Sequence, residues 1–196
     1  MATPPDFVSG AVLTAAQMNA VGLWRITGCT VTSSGGTAAT ASDGVINIGA
    51  GNTTITIANA FSSDYDNYVI VGSTIDFSGG GFGVRLALNG ITTSGYYSSL
   101  LYDNYGGTDT GYSRVNNLGY MTVAFTSATD DTSFIYYIYG PNLAKRKTAT
   151  FQMASESYMG TGAGTIANTT QATGFNLTVS SGSYQSGKIR VYGIRN

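Results

Sequence analysis

The chain of 196 residues contains no histidine and a single cysteine, Cys29. The absence of histidine excludes histidine-based catalytic triads, histidine metal ligands and histidine pH switches. A single cysteine also excludes an internal disulfide bond and a zinc site built from cysteines. A lone cysteine at the end of a predicted strand is typical of a small buried side chain, so we interpret Cys29 as structural.

Charge is also scarce. Charged residues make up 10% of the chain and the formal net charge is −1, whereas soluble domains usually contain about 25% charged residues. This balance gives no electrostatic basis for binding nucleic acid. A surface with so few charges favours packing against copies of the same chain or against other proteins.

Long apolar runs and a basic leader are missing as well. No run approaches the roughly 18 apolar residues of a membrane-spanning helix, so we expect no membrane insertion. The start, MATPPD, is acidic and has no basic region. It therefore does not predict a secretory signal peptide.

Only one stretch, residues 7–24, has the pattern of a helix. Thr14 and Gln17 form a T-x-x-Q capping box, in which the two side chains bind main-chain N–H groups at the helix start. Leu13 and Met18 stand at the positions of a hydrophobic staple around the same cap. Because two helical turns are too short to be stable alone in water, we expect this helix to pack against another surface.

The remainder of the chain has the pattern of β-structure. It contains about ten short runs rich in β-branched and aromatic residues, separated by glycine-rich turns. No strand pattern alternates with a helix pattern, which argues against a parallel α/β sheet. We therefore predict an all-β fold: a jelly-roll-like antiparallel β-sandwich of residues 23–196, behind an N-terminal arm of residues 1–22 with a short helix. The last strand reaches the chain end, and we expect it to be paired inside the sheet.

Several segments carry local predictions. The Asn-Gly dipeptide at residues 89–90 favours a hairpin, with residues 91–102 as the return strand. Residues 103–117 have no regular pattern and are predicted to form a long irregular loop. Residues 160–164 are predicted to form a glycine-rich loop. Residues 134–139, FIYYIY, are aromatic on both faces, which predicts a strand with one face in the core and the other against a neighbour.

The acidic residues form no recognisable catalytic set. Most of the ten Asp and Glu residues occupy turn-like positions, where a carboxylate supports the turn through its own hydrogen bonds. Residues 64–67 begin like a calcium loop, but Val69 and Ile75 stand where that loop needs glycine and glutamate. We therefore predict no enzymatic activity, no catalytic residue, no cofactor and no resident metal, with a cation in the loop from Asp103 to Asp109 as an open alternative.

Tyrosine is abundant, and one group is concentrated in the predicted return strand and the loop after it. A tyrosine offers a flat apolar face and a hydroxyl, which suits sugar rings and protein interfaces alike. The alternative is that these side chains pack against the sheet or across a subunit boundary. The candidate residues for a receptor or interface face are Tyr96, Tyr97, Tyr102, Tyr105 and Tyr112.

The only basic cluster is Lys145-Arg146-Lys147. We interpret it as a solvated turn or as a charged guard at a sheet edge. A site for phosphate or for an anionic polysaccharide is the alternative interpretation.

The two ends of the chain resemble known proteins. The run FVSGAVLTAAQMN, residues 7–19, resembles the F-x-x-G-x-x-L-T-A-A-x-x-N opening of many tail-fibre and tail-associated virion proteins of tailed bacteriophages. The close, GKIRVYGIRN, looks like the final strand of the β-rich heads in the same group. The resemblance implies that the opening docks the protein onto the virion. The implied docking residues are Phe7, Leu13, Thr14, Gln17, Met18, Asn19 and Trp24.

The same resemblance implies a function and a set of partners. The β body is expected to project from the virion, usually as a homotrimer, after assembly in the host cytoplasm. Because this chain has no shaft of repeats, the resemblance implies a short tail fibre or a tail-tip protein. Its expected partners are copies of itself, other virion proteins and a glycan of the host surface. A capsid decoration protein is the first alternative, and a carbohydrate-binding module is the second.

Overall fold

The computed structural model describes residues 22–79, 82–107, 110–126 and 130–194. These ranges contain fifteen β-strands and no helix. The first eight strands are β1 (Leu23–Arg25), β2 (Thr30–Gly35), β3 (Thr40–Ser42), β4 (Val45–Asn47), β5 (Asn52–Ala58), β6 (Asn67–Ser78), β7 (Phe82–Leu88) and β8 (Tyr96–Asn104). The others are β9 (Thr110–Leu118), β10 (Met121–Thr126), β11 (Thr132–Tyr139), β12 (Lys147–Ser155), β13 (Tyr158–Ile166), β14 (Phe175–Val179) and β15 (Ser183–Ile194). The predicted helix and nearly all of the predicted arm lie outside the described residues.

The strands form one continuous antiparallel sheet. Its main path runs β10-β7-β14-β5-β15-β6-β11-β12-β13-β8-β9, while β1 and β4 pair with β15, β2 pairs with β5, and β3 pairs with β4. The sheet bends until β10, at one end, lies against β8, β9, β11, β12 and β13 from the other end. The predicted all-β antiparallel fold is confirmed. The jelly-roll order is not confirmed, because a jelly roll has two separate sheets and here the hydrogen-bonded path is unbroken.

The last strand lies in the middle of this sheet. β15 pairs with β6 along its length and with β1, β4 and β5 on its other side. Ile189 and Val191 are buried in the core, and the alternating Arg190 and Tyr192 are only half-buried. The prediction of an internally paired final strand is therefore confirmed.

The Asn-Gly turn is present, but the hairpin predicted around it is wrong. The Ile91 N–H donates to the Leu88 carbonyl at 3.0 Å, and Gly90 has a φ of +82°. The following strand, β8, pairs with β9 and β13 and not with β7. After the turn the chain therefore crosses to the opposite end of the folded sheet, because Tyr96, the first residue of β8, is fully buried there. The Tyr96 hydroxyl donates to the Ile91 carbonyl and accepts from the Leu88 N–H, both at 2.7 Å.

Two segments predicted as loops are strands. Residues 103–117 contribute the end of β8 and most of β9, and residues 160–164 lie inside β13. β9 is the last strand of the path, and Val115 is its only buried side chain. An edge strand with so little buried surface keeps few apolar residues, which is why its sequence has no clear alternation.

Glycines explain why β13 did not have the pattern of a strand. Gly160, Gly162 and Gly164 alternate along it, and a Cβ added at Gly162 would overlap the ring of Phe151. At Gly164 an added Cβ would come within 2.9 Å of the Met121 Cε atom. Side chains of β12 and β10 therefore fill the space that side chains of β13 would occupy. The glycines allow β10 to pack close to β13.

β11 follows its predicted two-sided pattern. Phe134, Tyr136 and Ile138 are buried in the core, while Ile135 and Tyr137 alternate with them and are half-buried. Inner-face burial is thus confirmed. That the outer face packs on a neighbour stays a prediction.

The basic cluster is divided by the fold. Lys145 and Arg146 are exposed, but Lys147 is fully buried, so its interpretation as a solvated residue is wrong. The Lys147 Nζ donates to the Asn168 carbonyl at 3.1 Å and to the Thr170 carbonyl at 2.6 Å. Burial lowers the pKa of this ammonium group from its usual value. Lys147 ties the chain after β13 to the start of β12.

Candidate functional site

The outward side chains of β8 and β9 stand in register at the free end of the sheet. Their opposed pairs are Tyr97 with Asn116, Ser99 with Arg114, and Leu101 with Tyr112. Because side chains alternate between the two faces of a strand, these six side chains share the face that points away from the core. We call this surface, together with the outward side chains of β13, the β8–β9 face.

A polar cleft of about 530 Å³ lies on the β8–β9 face. Tyr112 lies at one end of the cleft and Tyr97 at the other, opposite Asn116. Arg114 lies between the two tyrosines, opposite Ser99. No acidic residue of the described chain lines the cleft. Its composition, two aromatic rings with hydroxyl, amide and guanidinium groups, provides both stacking surfaces and hydrogen-bond donors.

The predicted tyrosines divide into exposed and buried groups. Tyr97 is 37% exposed, Tyr112 is 69% exposed and Tyr105 is 56% exposed. Tyr97 and Tyr112 both line the cleft, while Tyr105 lies in the turn after β8. The prediction therefore included two residues that the fold brings to one site.

The other two predicted tyrosines belong to the interior or pack against it. Tyr96 is fully buried, and burial raises the pKa of its hydroxyl well above the usual value. Tyr102 is half-buried, with its ring centroid 5.1 Å from that of Phe125 and 6.0 Å from that of Tyr158. Tyr96 is therefore excluded from any surface site, because in β8 it points to the opposite face from Tyr97.

A second, more apolar groove of about 480 Å³ adjoins the cleft across β8, β13 and β12. Its lining includes Leu101, Asp103, Met159 and Gln152. Gln152 also lines a third hollow of about 370 Å³ over β6 and β11. Sequence reasoning missed this groove because residues 160–164 were predicted to be a loop.

Arg114 is a candidate site residue that the sequence analysis overlooked. Its side chain is exposed, and no hydrogen bond, ion pair or ring contact joins its guanidinium group to the described residues. The available signal was the alternation of Tyr112, Arg114 and Asn116 with Gly111, Ser113 and Val115. That alternation indicates a strand whose outer face carries the larger polar side chains.

The predicted docking residues fall mostly outside the described chain. Phe7, Leu13, Thr14, Gln17, Met18 and Asn19 all precede residue 22. Trp24 lies in β1 opposite Gly193 and is partly buried against the core of this chain. Its indole therefore packs on the β body, and only part of it is exposed.

Two kinds of feature are absent from the described ranges, a metal-ion cluster and a membrane-spanning helix. No group of three or more histidine, cysteine, aspartate and glutamate side chains is placed to hold a metal ion among these residues. The described part of the chain also contains no helix of the length and apolarity that crossing a membrane requires.

Comparisons with known proteins include a weak structural likeness. No protein-family model matches the chain, and no curated protein matches it. One similar solved structure is the CBM2 module of the evolved Dit of Lactobacillus casei BL23 phage J-1. The likeness covers 89% of this chain and 98% of that chain, at 14% sequence identity and a TM-score of 0.27. A TM-score this low does not establish a shared fold.

Proposed function

We propose that this chain is a bacteriophage virion structural protein, a short tail fibre or tail-tip protein. Residues 1–22 dock it onto the particle, and the β body contacts the host surface. The docking role is supported by the run of residues 7–19, which resembles the opening of phage tail-fibre proteins. Host contact rests on a different observation, the exposed β8–β9 face.

This face carries large side chains that an ordinary solvated surface would not place together. Leu101 is 61% exposed, Tyr112 is 69% exposed and Met159 is 47% exposed. Leu101 lies opposite Tyr112 on β9, and Met159 lies on the neighbouring strand, β13. Exposed apolar side chains grouped in this way mark surfaces that bind other molecules. β9 ends the sheet path, so its outer edge pairs with no strand of the described ranges.

The proposal includes a homotrimer, which the sequence resemblance implies. Gel filtration with light scattering on the full chain tests this part. The expected mass is three times that of the chain at micromolar concentration. A monomer at that concentration contradicts the trimer.

The location on the particle is tested by immunoelectron microscopy. Antibodies raised against the full chain are applied to purified particles of the phage that encodes it. Label confined to the tail or its tip is the expected result. Label spread over the head supports the capsid decoration protein instead, and particles without label contradict a virion role.

A further inference from the structure

We propose that the cleft on the β8–β9 face is a binding site for an acidic oligosaccharide, with Arg114 recognising a sugar carboxylate and Tyr97 and Tyr112 stacking on sugar rings. This inference rests on the proposed host contact and names its chemistry. It concerns one cleft and one class of ligand.

The spacing of the two tyrosines fits a chain of rings and not a single small molecule. Tyr112 lies opposite Leu101, which is four positions along β8 from Tyr97. Four residue rises and one strand spacing place the two Cα atoms about 14 Å apart. A ligand that reaches both aromatic rings must therefore extend over more than one sugar unit. Tyrosine rings provide the flat apolar surface that such rings need.

The charge of the cleft selects an acidic ligand. Arg114 lies between the tyrosines, opposite Ser99, and its guanidinium group has no partner among the described residues. No carboxylate from the described residues lines the cleft. A guanidinium group binds a carboxylate through two parallel hydrogen bonds, which an uncharged sugar cannot reproduce. A free arginine between two stacking surfaces therefore favours uronic or sialic acid units over neutral sugars.

The adjoining groove has a different character. It is lined by Leu101 and Met159, and its charged residue is Asp103. A carboxylate in that position repels an acidic ligand, so the groove does not extend the acidic site. The contrast confines the proposed site to the cleft around Arg114.

The test is isothermal titration calorimetry of the full chain with three named probes: tetragalacturonate, a tetramer of α2,8-linked sialic acid, and cellotetraose as the uncharged control. At least one acidic probe is expected to bind roughly tenfold or more tighter than cellotetraose, because only it forms charge-assisted hydrogen bonds. Its affinity is expected to fall as salt is raised.

The variants separate the role of each group. Arg114→Gln is expected to reduce acidic binding to the level of cellotetraose, and Arg114→Lys to retain an intermediate affinity, because lysine keeps the charge without the planar fork. Tyr112→Ala is expected to weaken binding of all probes that bind. The matched controls are Lys188→Gln, an exposed cation outside the cleft, and Tyr105→Ala, an exposed tyrosine outside it. Both controls are expected to bind like the unaltered chain.

The inference is overturned if neither acidic probe binds, if cellotetraose binds equally well, or if Arg114→Gln binds like the unaltered chain. Thermal unfolding of each variant shows whether it is folded, and all substituted side chains are exposed, so loss of folding is not expected. The two proposals fail separately. If the antibody labels the tail but no acidic probe binds, the virion role is supported and the acidic site is contradicted. If an acidic probe binds but the particles carry no label, the acidic site is supported and the virion role is contradicted.

Discussion

Gly162 lies directly beneath the ring of Phe151, and no side chain fits between them. The two residues are opposite each other on β13 and β12. An added Cβ would also come within 2.6 Å of the Ser99 carbonyl oxygen, which is fixed main chain. The Phe151 ring therefore covers the inner face of β13, the strand next to β8.

Gly162→Ala is therefore expected to destabilise the protein. Crowding a packed core in this way typically costs about 1 to 3 kcal/mol, because the ring or the strand must move. Urea unfolding followed by fluorescence measures the loss. Ala163→Ser is the matched control, since Ala163 is the next residue and faces outward, and it is expected to leave stability unchanged. Equal stability of Gly162→Ala and the unaltered chain contradicts the packing described for β13.

Two buried tyrosines give opposite predictions on loss of the hydroxyl. The Tyr184 hydroxyl is buried and has no hydrogen-bond partner in the described chain, whereas the Tyr96 hydroxyl bonds both Leu88 and Ile91. Tyr184→Phe is expected to be neutral or to stabilise by up to about 1 kcal/mol, and Tyr96→Phe to destabilise by about 1 to 3 kcal/mol.

Urea unfolding of the two variants side by side makes this comparison. Because both substitutions remove one oxygen from a buried ring, the difference reports the hydrogen bonds alone. Equal losses in the two variants contradict the assigned partners.

Alkaline pH is expected to unfold the protein through its buried phenols. Burial raises the folded-state pKa of Tyr184 above its usual value of 10.0. Above about pH 10 the unfolded chain loses this proton while the folded chain keeps it, so stability falls as pH rises. Below that pH the contribution is fully present.

The size of this pH dependence is set by the single proton of the Tyr184 hydroxyl. A single such group reduces the free energy of unfolding by about 1.4 kcal/mol per pH unit in this window. Tyr184→Phe removes that slope, so the unaltered chain and the variant are expected to diverge above about pH 10. Urea unfolding at several pH values from 8 to about 11 measures it. Parallel pH profiles contradict the burial of the Tyr184 hydroxyl.

Deletion of residues 1–22 is expected to leave a folded body that no longer joins the particle. The core residues of the described ranges begin at Ile26, so the truncated chain retains the contacts among them. Near-UV circular dichroism checks folding, and particle composition after complementation with the truncated chain checks incorporation. Aggregation of the truncated chain, or normal incorporation, contradicts the division into arm and body.

The sequence predicted strands in which apolar side chains on one face alternate with polar side chains on the other. It missed strands whose inward face carries few apolar side chains. The final strand, β15, was predicted, because its buried residues Ile189 and Val191 are apolar and alternate with Arg190 and Tyr192. β13 was missed because most of its inward-facing positions are half-buried glycines, and the apolar surface that covers them belongs to Phe151 and other neighbours. Strands are recognised by the alternation of apolar and polar side chains, and a strand with glycines on its inward face does not show that alternation.

The pairing partner of a strand also could not be predicted from the local sequence pattern. The Asn-Gly turn at residues 89–90 was predicted, but which strand follows it in the sheet depends on where Tyr96 is buried, and that is a contact across layers. Lys147 illustrates the same limit, because its two carbonyl partners come from a segment about twenty residues later. In the candidate site, Tyr97 and Tyr112 were identified from composition, whereas Arg114 required the register of β8 and β9.

The central claim is that the β8–β9 face brings a virion protein into contact with the host. The most direct measurement is the adsorption rate of phage particles that carry Tyr112→Ala, compared with particles that carry Tyr105→Ala and with unaltered particles. Equal amounts of this chain per particle, verified by immunoblot, make the rates comparable. We expect adsorption to fall roughly tenfold with Tyr112→Ala, as loss of one aromatic contact typically costs more than 1 kcal/mol, and to be unchanged with Tyr105→Ala. Unchanged adsorption of the Tyr112→Ala particles would contradict the account.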